Sequence, residues 1–225
     1  MNSVNRLSVP PVWRVKPRYA PANFRETYMR SVFAAIALLF AFALPALAAA
    51  PAVPKGTYKI DPRHAQVIFM VRHMGLSTFY GRFGAVNGTL TVDPAAPDQS
   101  TLDATIDMTG LNSHDTELDG VLKDSVFDVA KYPTVTFKAT KISVTGDNTG
   151  TVTGDLTIKD VTKPVTLNVT FNGGRNSPIP FEPYRLGFDA TGTVSREDFG
   201  LTGYIWGGFV GDAVTIAIEA EFEKQ

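Results

Sequence analysis

The chain of 225 residues contains no cysteine and three histidines, His64, His73 and His114. Disulfide scaffolds and thiol nucleophiles are thereby excluded, and the imidazoles lie too far apart for an H-x-x-x-H or comparable metal signature. No G-x-S-x-G elbow occurs. The Gly-rich GYIWGGFVGD lacks the lysine of a phosphate loop, and the D-F-G beginning at Asp198 has no accompanying Gly-rich strand pair or catalytic loop. No catalytic residue and no metal ligand is assigned, and no cofactor is expected.

Long apolar runs are also rare, with one exception. Residues 32–50, VFAAIALLFAFALPALAAA, are free of charge, follow Arg25 and Arg30, and contain the small-x-small triplet Ala46-Leu47-Ala48. This pattern predicts a signal peptide over 29–48 with cleavage before Ala49; a retained anchor is the competing reading. Residues 1–28 read as an upstream extension, unstructured or untranslated, with the start at Met29. A short linker at 49–55 then leads into one domain over 56–225. The first 48 residues hold Arg6, Arg14, Lys16, Arg18, Arg25 and Arg30 against the acid Glu26, so the chain beyond them is more acidic than the formal net charge of −1 for the whole. Such a protein is a poor nucleic-acid binder. The leader pattern implies export.

Helical spacing is scarce, and alternation of apolar and polar residues dominates from Gly56 onward. Leu102, Ala104, Ile106 and Met108 alternate with Thr101, Asp103, Thr105 and Asp107; Val214, Ile216, Ile218 and Ala220 alternate with polar neighbours in the same way. Antiparallel strands with one dry and one wet face follow. Eight are expected, at 57–73, 78–92, 101–109, 133–145, 150–159, 164–172, 185–196 and 213–223, the first interrupted at Asp61-Pro62. Leu118, Val121, Leu122 and Phe127, with Asp115 as N-cap, predict one short helix between 115 and 128. The apolar phase slips between Phe83 and Val86 and between Ala139 and Ile142, as a β-bulge would cause.

Eight such strands close into a barrel or split into a sandwich, and periodicity does not separate the two. The inward phase gives a candidate wall of Val67, Phe69, Val71, Phe79, Phe83, Leu90, Leu102, Ile106 and Phe137. On the later strands it continues through Leu156, Leu167, Val169, Leu186, Phe188, Ala190, Ile216 and Ile218. The same phase holds Gly81, Gly88, Ala104, Ala139, Gly154 and Gly192, whose small size either leaves a lumen or fits the taper of a filled barrel. His73 and Arg196 extend the apolar face at strand ends. They are candidates for the mouth of a lumen and a ligand's head group, or for hydrogen-bonded caps, with Asp61 or Asp198 as partner. Arg72 and Arg82 fall on the wet phase. Tyr204, Trp206 and Phe209 would cover a barrel end or plug the core.

These residues also resemble a known family. YKID followed by HAQVIFMVRHMG, GRF, GTLTVD, ELDGVLKDSVFDVAKYPTVTF, VTGDLTIKDVTKPVTL, GFDATGTVSREDFG and DAVTIAIEAEFE stand in order across 56–222. They are similar to the YceI-like periplasmic polyisoprenoid-binding proteins. The resemblance implies an all-β, eight-stranded antiparallel lipocalin-like barrel with one short helical crossover. It also implies a non-enzymatic carrier or reservoir for a polyprenyl phosphate or isoprenoid quinone. Some members carry Arg-Asp-x-His-Leu in the crossover; here the stretch is Leu118-Asp119-Gly120-Val121-Leu122, so a head-group role for that arginine and histidine does not transfer. Partners expected are the isoprenoid lipid, a transient membrane contact and a second copy in a homodimer. The rival function is an exported β-domain with a packed core, serving as a structural or interaction module in envelope stress.

Overall fold

A computed structural model describes residues 53–202 and 208–225. The expected leader and upstream stretch, and Tyr204 and Trp206, lie outside these residues. Nine strands form one antiparallel sheet: β1 (Gly56–His73), β2 (Ser77–Arg82), β3 (Val86–Val92), β4 (Thr101–Asp107), β5 (Thr134–Val144), β6 (Thr149–Ile158), β7 (Val161–Asn176), β8 (Tyr184–Ser195) and β9 (Val210–Lys224). Each neighbour in the order β3 to β9 is hydrogen-bonded to the next, and β9 pairs with β1, which closes the sheet into a barrel.

The barrel has eight staves, one of them broken. β2 pairs with the second half of β1, Ile68↔Arg82 through His73↔Ser77, while β3 pairs with its first half, Gly56↔Val92 through Lys59↔Thr89. The strand expected at 78–92 is therefore two strands, and the phase slip after Phe83 marks the break. Gly84 and Gly110 cause it: a Cβ on Gly84 would stand 2.2 Å from the Asp107 carbonyl oxygen and 2.9 Å from the Gly110 Cα. The second slip is a bulge, with Thr140 as the extra residue between Ala139↔Gly154 and Lys141↔Thr153. β7 runs past Asn172-Gly173-Gly174, beyond the strand end expected at 172. A bulge between Phe171↔Phe188 and Gly173↔Gly187 absorbs Asn172, and Gly173 takes φ +120°, open to glycine alone without strain.

The helix α1 (Thr116–Val121) starts where Asp115 predicts: its carboxylate accepts the N–H groups of Glu117 and Leu118, each at 3.0 Å. A π-helical turn over Leu122–Val126 extends it. Met108 and Leu111, both 1% exposed, pack beside it with Val129 and Val135, so the β4–β5 crossover covers part of one end of the barrel. The other end carries the start of β1, the end of β9, and the β3–β4, β5–β6 and β7–β8 connections.

The break expected at Asp61-Pro62 appears as an irregularity between Ile60↔Phe222 and Ala65↔Ala220. Asp61 is 3% exposed. Its carboxylate accepts from His64 Nδ1 at 2.7 Å, Arg185 Nη1 at 2.9 Å and the Arg63 N–H at 3.0 Å. Burial pushes its pKa up, but the bonds from His64, Arg185 and Arg63 outweigh that and hold it well below the usual carboxylate range. Arg185 reaches on to Glu221 at 3.1 Å. The cluster ties the bulged part of β1 to β8 across β9.

Candidate functional site

Inward-facing side chains enclose a cavity of about 850 Å³ within the barrel. Its wall is built by alternation, each strand sending every second residue inward. Every residue predicted for the wall lines it, from Val67, Phe69 and Val71 on β1 and Phe79 on β2 to Ile216 and Ile218 on β9. The interior is thus hollow, within the size that suits one small ligand.

The inward glycines do not create this space. Gly81 faces Phe69 across the ladder, and the side chains of Ile60 and Leu167 lie against Gly88 and Gly192. A Cβ at these positions would meet the facing side chain at 2.2, 2.9 and 2.7 Å respectively, and one on Gly154 would meet the Phe137 ring at 2.5 Å. Each glycine is a seat for a large neighbour that lies down along the wall. The cavity survives because these side chains lie along the wall instead of standing across the lumen.

Aromatic contacts shape both ends. Phe83 stacks at 5.1 Å on Phe69 and meets the edge of Phe127 at 6.1 Å, which fixes the crossover against the wall. Phe171, Phe188 and Phe222 form a second chain with centroid separations of 5.1 and 5.6 Å. Leu118, Leu122, Val126 and Phe127 of the crossover line the cavity; their helical spacing was readable, their place in its wall was not. A polar rim at the opposite end was missed altogether. Asp93, Ser100, Ser143, Asp147, Asn148 and Thr149, from the β3–β4 and β5–β6 connections, line the cavity there.

His73 and Arg196 also line the cavity, at the crossover end. Arg196 does not pair with Asp61 or Asp198. Its Nε donates to the Gly211 carbonyl at 3.1 Å, Nη1 to Leu201 at 2.8 Å and Nη2 to Val210 at 3.1 Å. Nη2 also approaches Glu197 at 3.4 Å. The guanidinium therefore caps the β8–β9 connection and retains little capacity for a ligand. His73 is exposed at the end of β1, and Arg72 and Arg82 are exposed on the outer face.

The model of the YceI-like domain matches residues 58–222. A Pseudomonas putida protein called UPF0312 protein is 39% identical over 178 residues, covering 78% of this chain and 89% of the relative. Among solved structures, BcnA of Burkholderia cenocepacia superposes with TM-score 0.64 at 25% identity, covering 72% of this chain and 98% of that one. The YceI protein of Campylobacter jejuni gives 0.59 at 29% identity, covering 67% and 88%. A polyisoprenoid binding domain from Saccharophagus degradans shares the fold, with TM-score 0.55 at 16% identity, covering 76% and 100%.

Proposed function

The chain belongs to the YceI-like family, and from that premise we propose that its barrel holds one long isoprenoid lipid with an uncharged head group, as a carrier or reservoir in the periplasm. The apolar cavity of about 850 Å³ carries the reading. Each Å² of tail removed from water is worth about 25 cal/mol, so burial along such a wall supplies most of the affinity. The isoprenoid identity of the tail rests on the family, and export on the apolar leader pattern at 29–48.

The head-group preference comes from charge. A phosphate needs cationic or N–H partners when it leaves water. Among the described residues, the basic side chains in the cavity wall are Arg196, bound to three carbonyls, and the exposed His73. Lys55, outside the polar rim, is already paired with Asp93 at 2.6 Å. Ser100, Ser143, Asn148 and Thr149 can hydrogen-bond a carbonyl or hydroxyl, while Asp93 and Asp147 would repel a phosphate. A quinone suits that rim better than a polyprenyl phosphate. Among the described residues the cavity wall is overwhelmingly apolar, and binding is the function proposed.

Two measurements test this. Protein purified without detergent from its native envelope, extracted and examined by mass spectrometry, should yield near-stoichiometric neutral prenyl lipid; phosphorylated prenyl lipid would overturn the head-group assignment. Ala190→Phe should lower the recovered lipid several-fold more than His73→Ala, because Ala190 points into the lumen. A folded Ala190→Phe protein with full lipid would refute the lumen as the binding site.

A further inference from the structure

The β1–β2 turn is built against the usual preferences of a tight turn. Leu76 N–H closes it on the His73 carbonyl at 3.0 Å, and both central residues have positive φ, Met74 at +53° and Gly75 at +70°. The first of these positions favours Asn, Asp or Gly, and a long side chain there is strained. Yet Met74 is 50% exposed and its neighbour Leu76 80% exposed, so neither is compensated by packing. Phe209, also 50% exposed, stands beside them, its carbonyl accepting the Met74 N–H at 2.5 Å. Three large apolar side chains thus project together from one end of the barrel.

The hairpin that carries Met74 and Leu76 is basic. From Arg72 to Arg82 the chain carries Arg72, His73 and Arg82 and no acid. Arg72 sits directly behind the turn, its guanidinium donating to the Gly75 carbonyl and, at 3.0 Å, to Thr78 Oγ1, and it remains exposed. The acids beside it are Asp212, which accepts from the Ser195 hydroxyl at 3.0 Å and the Glu197 N–H at 2.9 Å, and Glu197, whose carboxylate lies 3.4 Å from Arg196 Nη2. Val71, His73, Phe79 and Val210, immediately inside the tip, line the cavity.

We propose that Met74, Leu76 and Phe209 insert into the surface of an anionic phospholipid bilayer, with Arg72 and Arg82 at its head groups, and that this docked end is where lipid passes between membrane and lumen. Apolar tips backed by arginine match the layered polarity of a bilayer surface. The passage part rests on the carrier reading; the docking part does not. A lipid drawn from a bilayer meets the mouth with its head leading, and an uncharged head crosses an apolar lumen to the polar rim at far lower cost than a phosphate. The opposite end also exposes Ile179 and Phe181. Their loop holds Glu182, however, and lines no part of the cavity.

The absence of cysteine makes the test direct. An environment-sensitive fluorophore attached at Leu76→Cys should shift to the blue when vesicles of phosphatidylcholine and phosphatidylglycerol are added, and much less with phosphatidylcholine alone. The same label at Phe181→Cys should not respond. No shift at position 76, or an equal shift at 181, overturns the docking. The double variant Met74→Asn/Leu76→Ser, which relieves the turn and removes apolar surface, should fold with unchanged or higher stability and lose at least about tenfold in vesicle association. Association equal to the wild type overturns the proposal. Uptake of a prenyl quinone from detergent micelles should be unchanged in that variant, and failure of the wild type to take it up would instead refute the carrier reading.

Discussion

Asp61 shows how one side chain can carry a local architecture. Its carboxylate is nearly inaccessible and is held by His64, Arg185 and Arg63. Replacement by alanine leaves Arg185 partly unpaired at the bulge and should cost about 3 kcal/mol in urea denaturation at pH 7. The folded carboxyl titrates below its unfolded value of about 3.9, so its contribution is complete above that pH and declines as pH falls through the folded value. The stabilities of wild type and Asp61→Ala should therefore converge on acidification below about pH 4, and a gap that stayed constant to pH 2 would contradict this account. Asp61-Pro62 could be read as an interruption from sequence; its partner could not. Arg185 is distant in the chain, and the strand register that delivers it is a tertiary fact. Arg196 illustrates the same limit, because its partners are backbone carbonyls, which residue types do not reveal.

At the scale of the element, alternation made the strands and the cavity wall legible, since a half-buried strand must repeat every two residues. The broken stave and the crossover's place in the cavity wall were not legible to that depth. The phase slip after Phe83 was visible, but a bulge and a break give the same slip, and the contact of Gly84 with Gly110 decides between them. Two glycine substitutions of opposite sign follow. Gly84→Ala drives a Cβ into the Asp107 carbonyl and the Gly110 backbone, neither of which can yield as a side chain can, and should cost roughly 2–3 kcal/mol. Gly120→Ala meets nothing within 4 Å in α1 and should stabilise by about 1 kcal/mol through helix propensity. Thermal unfolding of the two variants checks both, and a destabilised Gly120→Ala would mean that the crossover requires glycine for a contact of its own.

For the whole molecule, sheet closure is the governing fact. A barrel of this kind depends on pairing between distant parts of the chain, which favours slow, cooperative folding. The seam that closes the ring is β1 with β9, where Tyr58 lies opposite Lys224 and the Gln225 N–H reaches the Thr57 carbonyl at 2.9 Å. The start of the first stave and the end of the last are thus hydrogen-bonded neighbours at the polar-rim end. A short linker from Gln225 to Lys55 with new termini at Asp147-Asn148 preserves every strand pairing and should give a folded barrel with the same far-ultraviolet spectrum. Loss of the fold would show that formation of the β5–β6 hairpin is obligatory. In the language of rings, the barrel has an order of staves but no first stave. Where the ribosome begins it is a matter of the gene, while the hollow centre belongs to the cycle.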